Sequence, residues 1–133
     1  MEIDEINAGY QNSDQNVTRF TFGEKKKLDL NDLNLILPIN CSDITGSIGF
    51  TDIIITQNPN YKKTLIVIVL GLTKKYKTEL NLSKILNYLE ERAKQKKVET
   101  IVINTNLIEF YQKILPKYGY RLFNGDEYAI KNI

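Results

Sequence analysis

Two apolar runs with a helical stripe between them set the tightest limit on how this chain can fold. "TLIVIVLGL" at 64–72 is a continuous, β-branched run of the kind that forms a buried strand. "VETIVINT" at 98–105 is a second run of that kind. Between them Leu82, Ile85, Leu86, Leu89 and Ala93 recur at i, i+3, i+4, i+7 and i+11, which aligns them along one side of a helix. Strand, helix and strand in such a short span form a crossover unit, so the two strands are expected to run parallel.

The flanking segments extend that unit in both directions. "GSIGFTDIIIT" (46–56) reads as a strand, joined to 64–72 as a hairpin through "QNPNYKK" (57–63). "VTRFTF" (17–22) and "LNLILPI" (33–39) are further strand candidates, linked by the charged "GEKKKLDLNDL" (23–33). Residues 1–16 are polar and rich in Asn, Asp and Gln, so a loosely ordered tail or a short helix is expected there. In the first helix Asn81 is the expected N-cap, with Glu90 and Glu91 placed to pair with Lys94. A second helix is expected from "NLIE", with Asn106 as N-cap, Glu109 as its capping-box partner and Pro116 ending it. Its apolar stripe is Leu107, Phe110, Tyr111 and Ile114. "GYRLF" and "EYAIKNI" complete the chain as two strands joined by a turn at "NGD". The expected order is β, β, β, β, α, β, α, β, β, a single α/β domain over residues 1–133 around one mixed sheet.

Composition removes several chemistries. There is no histidine, which excludes Ser-His-Asp and Cys-His catalysis and every His-containing metal site. The one cysteine, Cys41, can form neither an internal disulfide nor a thiolate metal cluster, so no metal is expected and a reducing cytoplasm is the natural compartment. "MEIDEINAGY" lacks the apolar core of a secretory signal, and the eight-residue run Leu65–Leu72 is too short to cross a bilayer. Acid–base chemistry falls to Tyr, Lys, Asp, Glu, water or backbone, and eight tyrosines are present. Asp52 and Glu79 are the carboxylates considered as bases. Charge is polarised. Residues 1–60 carry four Lys/Arg and nine Asp/Glu, a balance of −5, and residues 61–133 carry fourteen and seven, a balance of +7. A basic second half suits an anionic ligand. "ERAKQKK" (91–97) is basic but has no interleaved aromatics, so a nucleic-acid partner is not expected.

The order of elements and the residues at two loops resemble the GNAT superfamily of N-acetyltransferases, over roughly residues 46–133. In "TKKYKTELNLSKIL" (73–86), Tyr76 falls on the aromatic that precedes the family's pyrophosphate-binding loop, and Lys77 falls on a commonly basic position. In "NLIEFYQKILPKYGYRLF" (106–123), Asn106, the Phe110-Tyr111 pair and Gly119-Tyr120 fall on an Asn…Phe-Tyr…Gly-Phe signature. The resemblance implies a mixed central sheet with flanking helices and an acyl-CoA cofactor held between strands 64–72 and 98–105. Backbone groups of Leu70 and Leu72 would orient the acyl and pantetheine parts. Lys74, Lys75, Lys77, Thr78 and Asn106 would contact the cofactor, and Tyr111 would be the general acid.

The sequence departs from that pattern at the loop. Aligned without gaps, the family's glycines correspond to Thr78, Leu80 and Leu82. Glycines there let backbone amides approach a pyrophosphate above a helix N-terminus, and side chains at those positions obstruct it. Residues 23–33 also have room for only one of the two helices that normally help build the acceptor site. Two functions follow from the resemblance. One is acetyl-CoA-dependent N-acetyl transfer to an amine on a small molecule or protein. The other is a non-catalytic interaction or assembly protein that keeps only the fold and works through a protein partner or self-association. The Ile-, Lys- and Asn-heavy composition is that of AT-rich genomes, viruses among them.

Overall fold

The computed structural model describes residues 1–24, 48–57 and 62–133. Seven strands form one sheet: β1 (Glu2–Asn12), β2 (Gln15–Gly23), β3 (Gly49–Thr56), β4 (Thr64–Leu72), β5 (Thr100–Asn104), β6 (Arg121–Phe123) and β7 (Tyr128–Asn132). Their spatial order is β1-β2-β3-β4-β5-β7-β6. β4 and β5 are parallel, as the crossover requires, and every other neighbouring pair is antiparallel. The expected strand at 33–39 lies outside the described residues.

The N-terminal segment is a strand, not a tail or helix. β1 pairs with β2 from Glu2↔Gly23 to Asn12↔Gln15 through a two-residue turn, where Ser13 (φ 51°) and Asp14 (φ 63°) both take left-handed backbone. That is the geometry of a tight hairpin turn matched to strand twist. β1 hides well in the sequence because it is an edge strand with little to bury. Ile3 packs against the core, but Ile6 is exposed, so no apolar alternation runs through it.

The helix α1 (Glu79–Gln95) crosses from β4 to β5 and buries all five stripe residues, Leu82, Ile85, Leu86, Leu89 and Ala93. They meet Leu65, Val67, Leu70 and Leu72 of β4, Ile101 and Ile103 of β5, and Phe20 and Phe22 of β2 in one apolar cluster. Tyr88 of α1 sets its ring edge-on to both phenylalanines, at 5.2 and 5.8 Å. A second, shorter helix α2 (Glu109–Ile114) runs into a 3₁₀ turn at Leu115–Tyr118, and Tyr111, Ile114 and Leu115 join the same cluster.

Both helix starts differ from the expected ones. Thr78, not Asn81, caps α1. Its hydroxyl accepts the Asn81 amide at 3.2 Å, and the Asn81 side chain instead donates to the Tyr76 carbonyl at 3.0 Å. Ile108, not Asn106, is the N-cap of α2 and supplies no side-chain bond. Asn106 (φ 51°) and Leu107 (φ 58°) sit in a left-handed turn before it, held by the Thr105 hydroxyl accepting the Leu107 amide at 3.1 Å. Glu91 and Lys94 lie 3.9 Å apart as expected, but Glu90 turns to Lys131 of β7 at 2.5 Å.

β4 carries the feature that shapes the sheet. Val67 pairs with Ile53 and Val69 with Asp52, so Ile68 is an extra residue opposite β3. A one-residue slip flips a strand's faces, and the bulge is why the buried set changes from Leu65 and Val67 to Leu70 and Leu72. Gly49, opposite Leu72, is the one residue type that fits there, because a Cβ would lie 2.1 Å from the Gly71 carbonyl oxygen.

α1 ends in a Schellman motif: Val98 donates to the Ala93 carbonyl at 2.8 Å and Lys97 to the Lys94 carbonyl at 3.1 Å. The left-handed position, where glycine is preferred, is taken by Lys97 (φ 58°). A side chain there costs more than the extra freedom that glycine gives the unfolded chain. Lys97→Gly should therefore raise stability by roughly 1 kcal/mol. Urea unfolding checks this, and a loss of stability would show that the lysine side chain makes a contact outweighing the strain.

Candidate active site

The parallel ladder between β4 and β5 is short. It runs from Thr64↔Thr100 to Val67↔Ile103 and stops where the bulge begins. Residues 68–72 of β4 continue beyond it, so an opening forms between the two strands. Backbone alternation decides which amides face it. Thr73 donates to the Ile48 carbonyl on the β3 side at 2.9 Å, so the amides of Leu72 and Leu70 point the other way, into the opening. The side chains of Leu70 and Leu72 are buried in the core, which leaves only their backbone to face a ligand.

Tyr111 reaches across from α2 into this place. Its hydroxyl accepts the Leu72 amide at 3.2 Å, and the residue is 1% exposed. Its ring lies edge-on to Phe110 at 5.4 Å. Burial pushes the phenol pKa above its usual value, and the amide donated by Leu72, which favours the phenolate, offsets part of that rise. A proton-holding oxygen and a backbone donor therefore meet at the mouth of the opening.

The segment after β4 is a 3₁₀ turn, Lys74–Tyr76, and Thr78 then caps α1. Tyr76 packs against the core, and Lys75 lies over its ring at 5.3 Å. Lys74, Lys75 and Lys77 are exposed, and none of them joins an ion pair among the described residues. The three positions aligned with glycines behave differently from one another. Leu82 is fully buried and points into the core, and Thr78, though exposed, turns its hydroxyl back to cap the helix. Leu80, 63% exposed, is the one side chain standing at the start of the helix. The Thr78 cap takes the Asn81 amide, which leaves the amides of Glu79 and Leu80 as the unused donors of the first turn. Lysines, a helix N-terminus and two amides are a donor set that fits an anionic group.

One residue the sequence did not point to joins this end of α1. Lys117, in the turn after α2, lies 3.6 Å from Glu79. No sequence pattern links positions so far apart, and only the packing of α2 beside α1 brings them together. Asn106 donates its amide to the Asn104 side chain at 2.8 Å, beyond the end of β5, and no contact joins it to the lysines. Gly119 (φ 89°) provides the left-handed end of the 3₁₀ turn, and Tyr120 after it is buried. Asp52 is not an available base. Its side chain is 2% exposed, with Arg19 bidentate to it at 2.7 and 3.0 Å and Tyr10 donating at 2.5 Å. No helix among the described residues is long and apolar enough to cross a membrane.

No protein-family model matches the sequence, and no curated protein matches it. Among solved structures, a chain in the crystal structure of the NatC complex bound to Gag peptide and CoA is similar. The TM-score is 0.57 and the identity 11%, over 88% of this chain and 70% of that one. A likeness at that identity is one of fold. The fold is α/β and GNAT-like, one mixed sheet with helices against it.

The Tyr111 hydroxyl makes a specific pH prediction. Its folded pKa lies above the unfolded value of about 10. The folded state thus holds the proton more tightly, and its contribution is complete below pH of about 10 and is lost as pH rises through the folded pKa. Tyr10, pushed up to about 12 mainly by burial and then by Asp52, acts in the same sense. Tyr111→Phe should reduce stability near pH 8 by about 1–3 kcal/mol, because the Leu72 amide loses its partner. It should also shrink the loss of stability between pH 9 and 11. Unfolding midpoints across that range check both, and an unchanged alkaline slope would show that Tyr111 does not titrate with unfolding.

Proposed function

We propose that this chain binds acyl-CoA in the opening between β4 and β5 and transfers the acyl group to an amine. The observation that carries this reading is the meeting of the Tyr111 hydroxyl with the Leu72 amide where the β4–β5 ladder ends. Acyl transfer needs a hydrogen-bond donor for the carbonyl oxygen and an acid for the departing group. The backbone amides of Leu70 and Leu72 would serve the first task, and Tyr111, which keeps its proton at neutral pH, the second. Lys74, Lys75 and Lys77, with the first-turn amides of α1, would hold the phosphates, and acyl-CoA supplies the activated thioester. A further support is that the NatC neighbour is bound to CoA and to a peptide. For this chain the acceptor is accordingly proposed as an amine on a peptide or small molecule.

A second reading, a non-catalytic interaction protein, is favoured by two observations. Leu80 stands over the helix start, and Tyr111 is closed off from solvent. Thermal unfolding with acetyl-CoA separates the two. A ligand present at 100 times its Kd stabilises the folded state by about 2.7 kcal/mol. A raised midpoint in millimolar acetyl-CoA, lost in Lys77→Glu, is the expected result. Acetyl transfer to a peptide amine should fall at least tenfold in Tyr111→Phe. No shift in the wild type, together with a shift in Leu80→Gly, would mark the chain as a non-catalytic descendant whose loop is blocked.

A further inference from the structure

Far from the opening, at the other end of α1, the fold gathers lysines from two segments. Lys94 lies in the last turn of the helix, Lys96 and Lys97 follow directly at its end, and Lys62 and Lys63 lead into β4. Lys63 ties the two together: its ammonium donates to the Lys96 carbonyl at 2.6 Å, and its own carbonyl accepts the Glu99 amide at 3.0 Å. Arg92 belongs to the same end but is held by Glu5 at 2.9 Å. Lys62, Lys96 and Lys97 are exposed and join no ion pair among the described residues, and Lys94 has only the 3.9 Å contact with Glu91. Cations in a helix's last turn offset its macrodipole, which accounts for Lys94 and Lys96. It does not account for Lys62, which comes from another element. Nor does it account for Lys97, which occupies a left-handed position that glycine would fill with less strain.

We propose that this end is a docking surface for the phosphate backbone of a nucleic acid duplex, contacted without reading sequence. The side chains present decide between partners. The two segments, Lys62-Lys63 and Lys94-Gln95-Lys96-Lys97, contain no aromatic or aliphatic side chain. These described segments therefore offer no base-stacking platform, which is the same fact that makes "ERAKQKK" a poor base-reading motif. A protein interface is disfavoured because such surfaces have an apolar centre and are depleted of lysine. A bilayer surface is left with electrostatics alone and nothing to insert. Exposed lysine point charges suit phosphates, which position a protein on a duplex without specifying bases.

The test is fluorescence anisotropy of the full chain with a labelled mixed-sequence 20-base-pair duplex. Four lysine contacts predict a log–log salt slope of about −3.6, a loss of roughly a hundredfold in affinity between 50 and 200 mM salt. Lys62→Glu with Lys97→Glu should abolish binding. Charge reversal at Lys74, Lys75 and Lys77 should leave it within twofold, which separates this surface from the acyl-CoA reading. Lys97→Gly is the sharper probe, since it should raise the unfolding temperature and yet flatten the slope by about 0.9. Duplex binding that survives the Lys62/Lys97 reversals, no binding at low salt, or a preference for phosphatidylserine vesicles over the duplex would each overturn the proposal.

Discussion

The extra residue at Ile68 governs the molecule more than any other local feature. Before it, β4 is bonded on both sides, to β3 and to β5. After it, β4 stays bonded to β3 alone, and its other edge is free from Ile68 to Leu72. Free backbone in the middle of a sheet is costly unless it finds partners. Here one partner is the Tyr111 hydroxyl, carried in by α2. The bulge thus creates a demand for hydrogen bonds at one place, and the rest of the fold brings side chains to it. Leu70 and Leu72 keep their hold on the core because the bulge also restores their face, so the opening does not weaken the packing beneath it.

At Tyr111 burial and the proposed acid role pull in different directions. An acid must hold its proton at neutral pH, and burial among apolar neighbours secures that. The same burial closes the hydroxyl to solvent and uses the Leu72 amide. A ligand carbonyl entering the opening would present an acceptor to that amide in place of the phenol, and this exchange frees the hydroxyl to donate. The closed arrangement is therefore compatible with a site that is completed by its ligand, since catalytic hydrogen bonds often tighten only in the complex.

Legibility in the sequence followed burial. The crossover unit was readable because β4, α1 and β5 are apolar on the faces they bury, and all five α1 stripe residues are in the core. β1 was not readable, because an edge strand that buries little carries no alternation. The caps were misassigned for a related reason. Asn81 and Asn106 are good capping residues by type, but the chain reaches each helix through a turn that presents another group first. Thr78 is delivered by the 3₁₀ turn, and at α2 the Thr105 hydroxyl takes the Leu107 amide in the turn that leads to the N-cap Ile108. Lys117 and Lys63 were beyond reach altogether, since the groups they meet, the Glu79 carboxylate and the Lys96 carbonyl, are far from them in the sequence.

The three positions aligned with glycines differ most between sequence and fold. In one dimension Thr78, Leu80 and Leu82 are equivalent obstructions. In the helix they are spaced by two, which turns successive side chains by about 200°. Leu82 therefore goes into the core, Thr78, though exposed, folds its hydroxyl back to cap, and Leu80 projects freely. The helix start is thus less obstructed than its residue types suggest. The cap hydroxyl makes the hydrogen bond a phosphate oxygen would otherwise make to the Asn81 amide, so the helix start is stable without ligand. A helix start that needs no anion loses nothing by staying empty and gains less from filling, so in the proposed acyl-CoA reading affinity there would rest on the exposed lysines and be sensitive to salt.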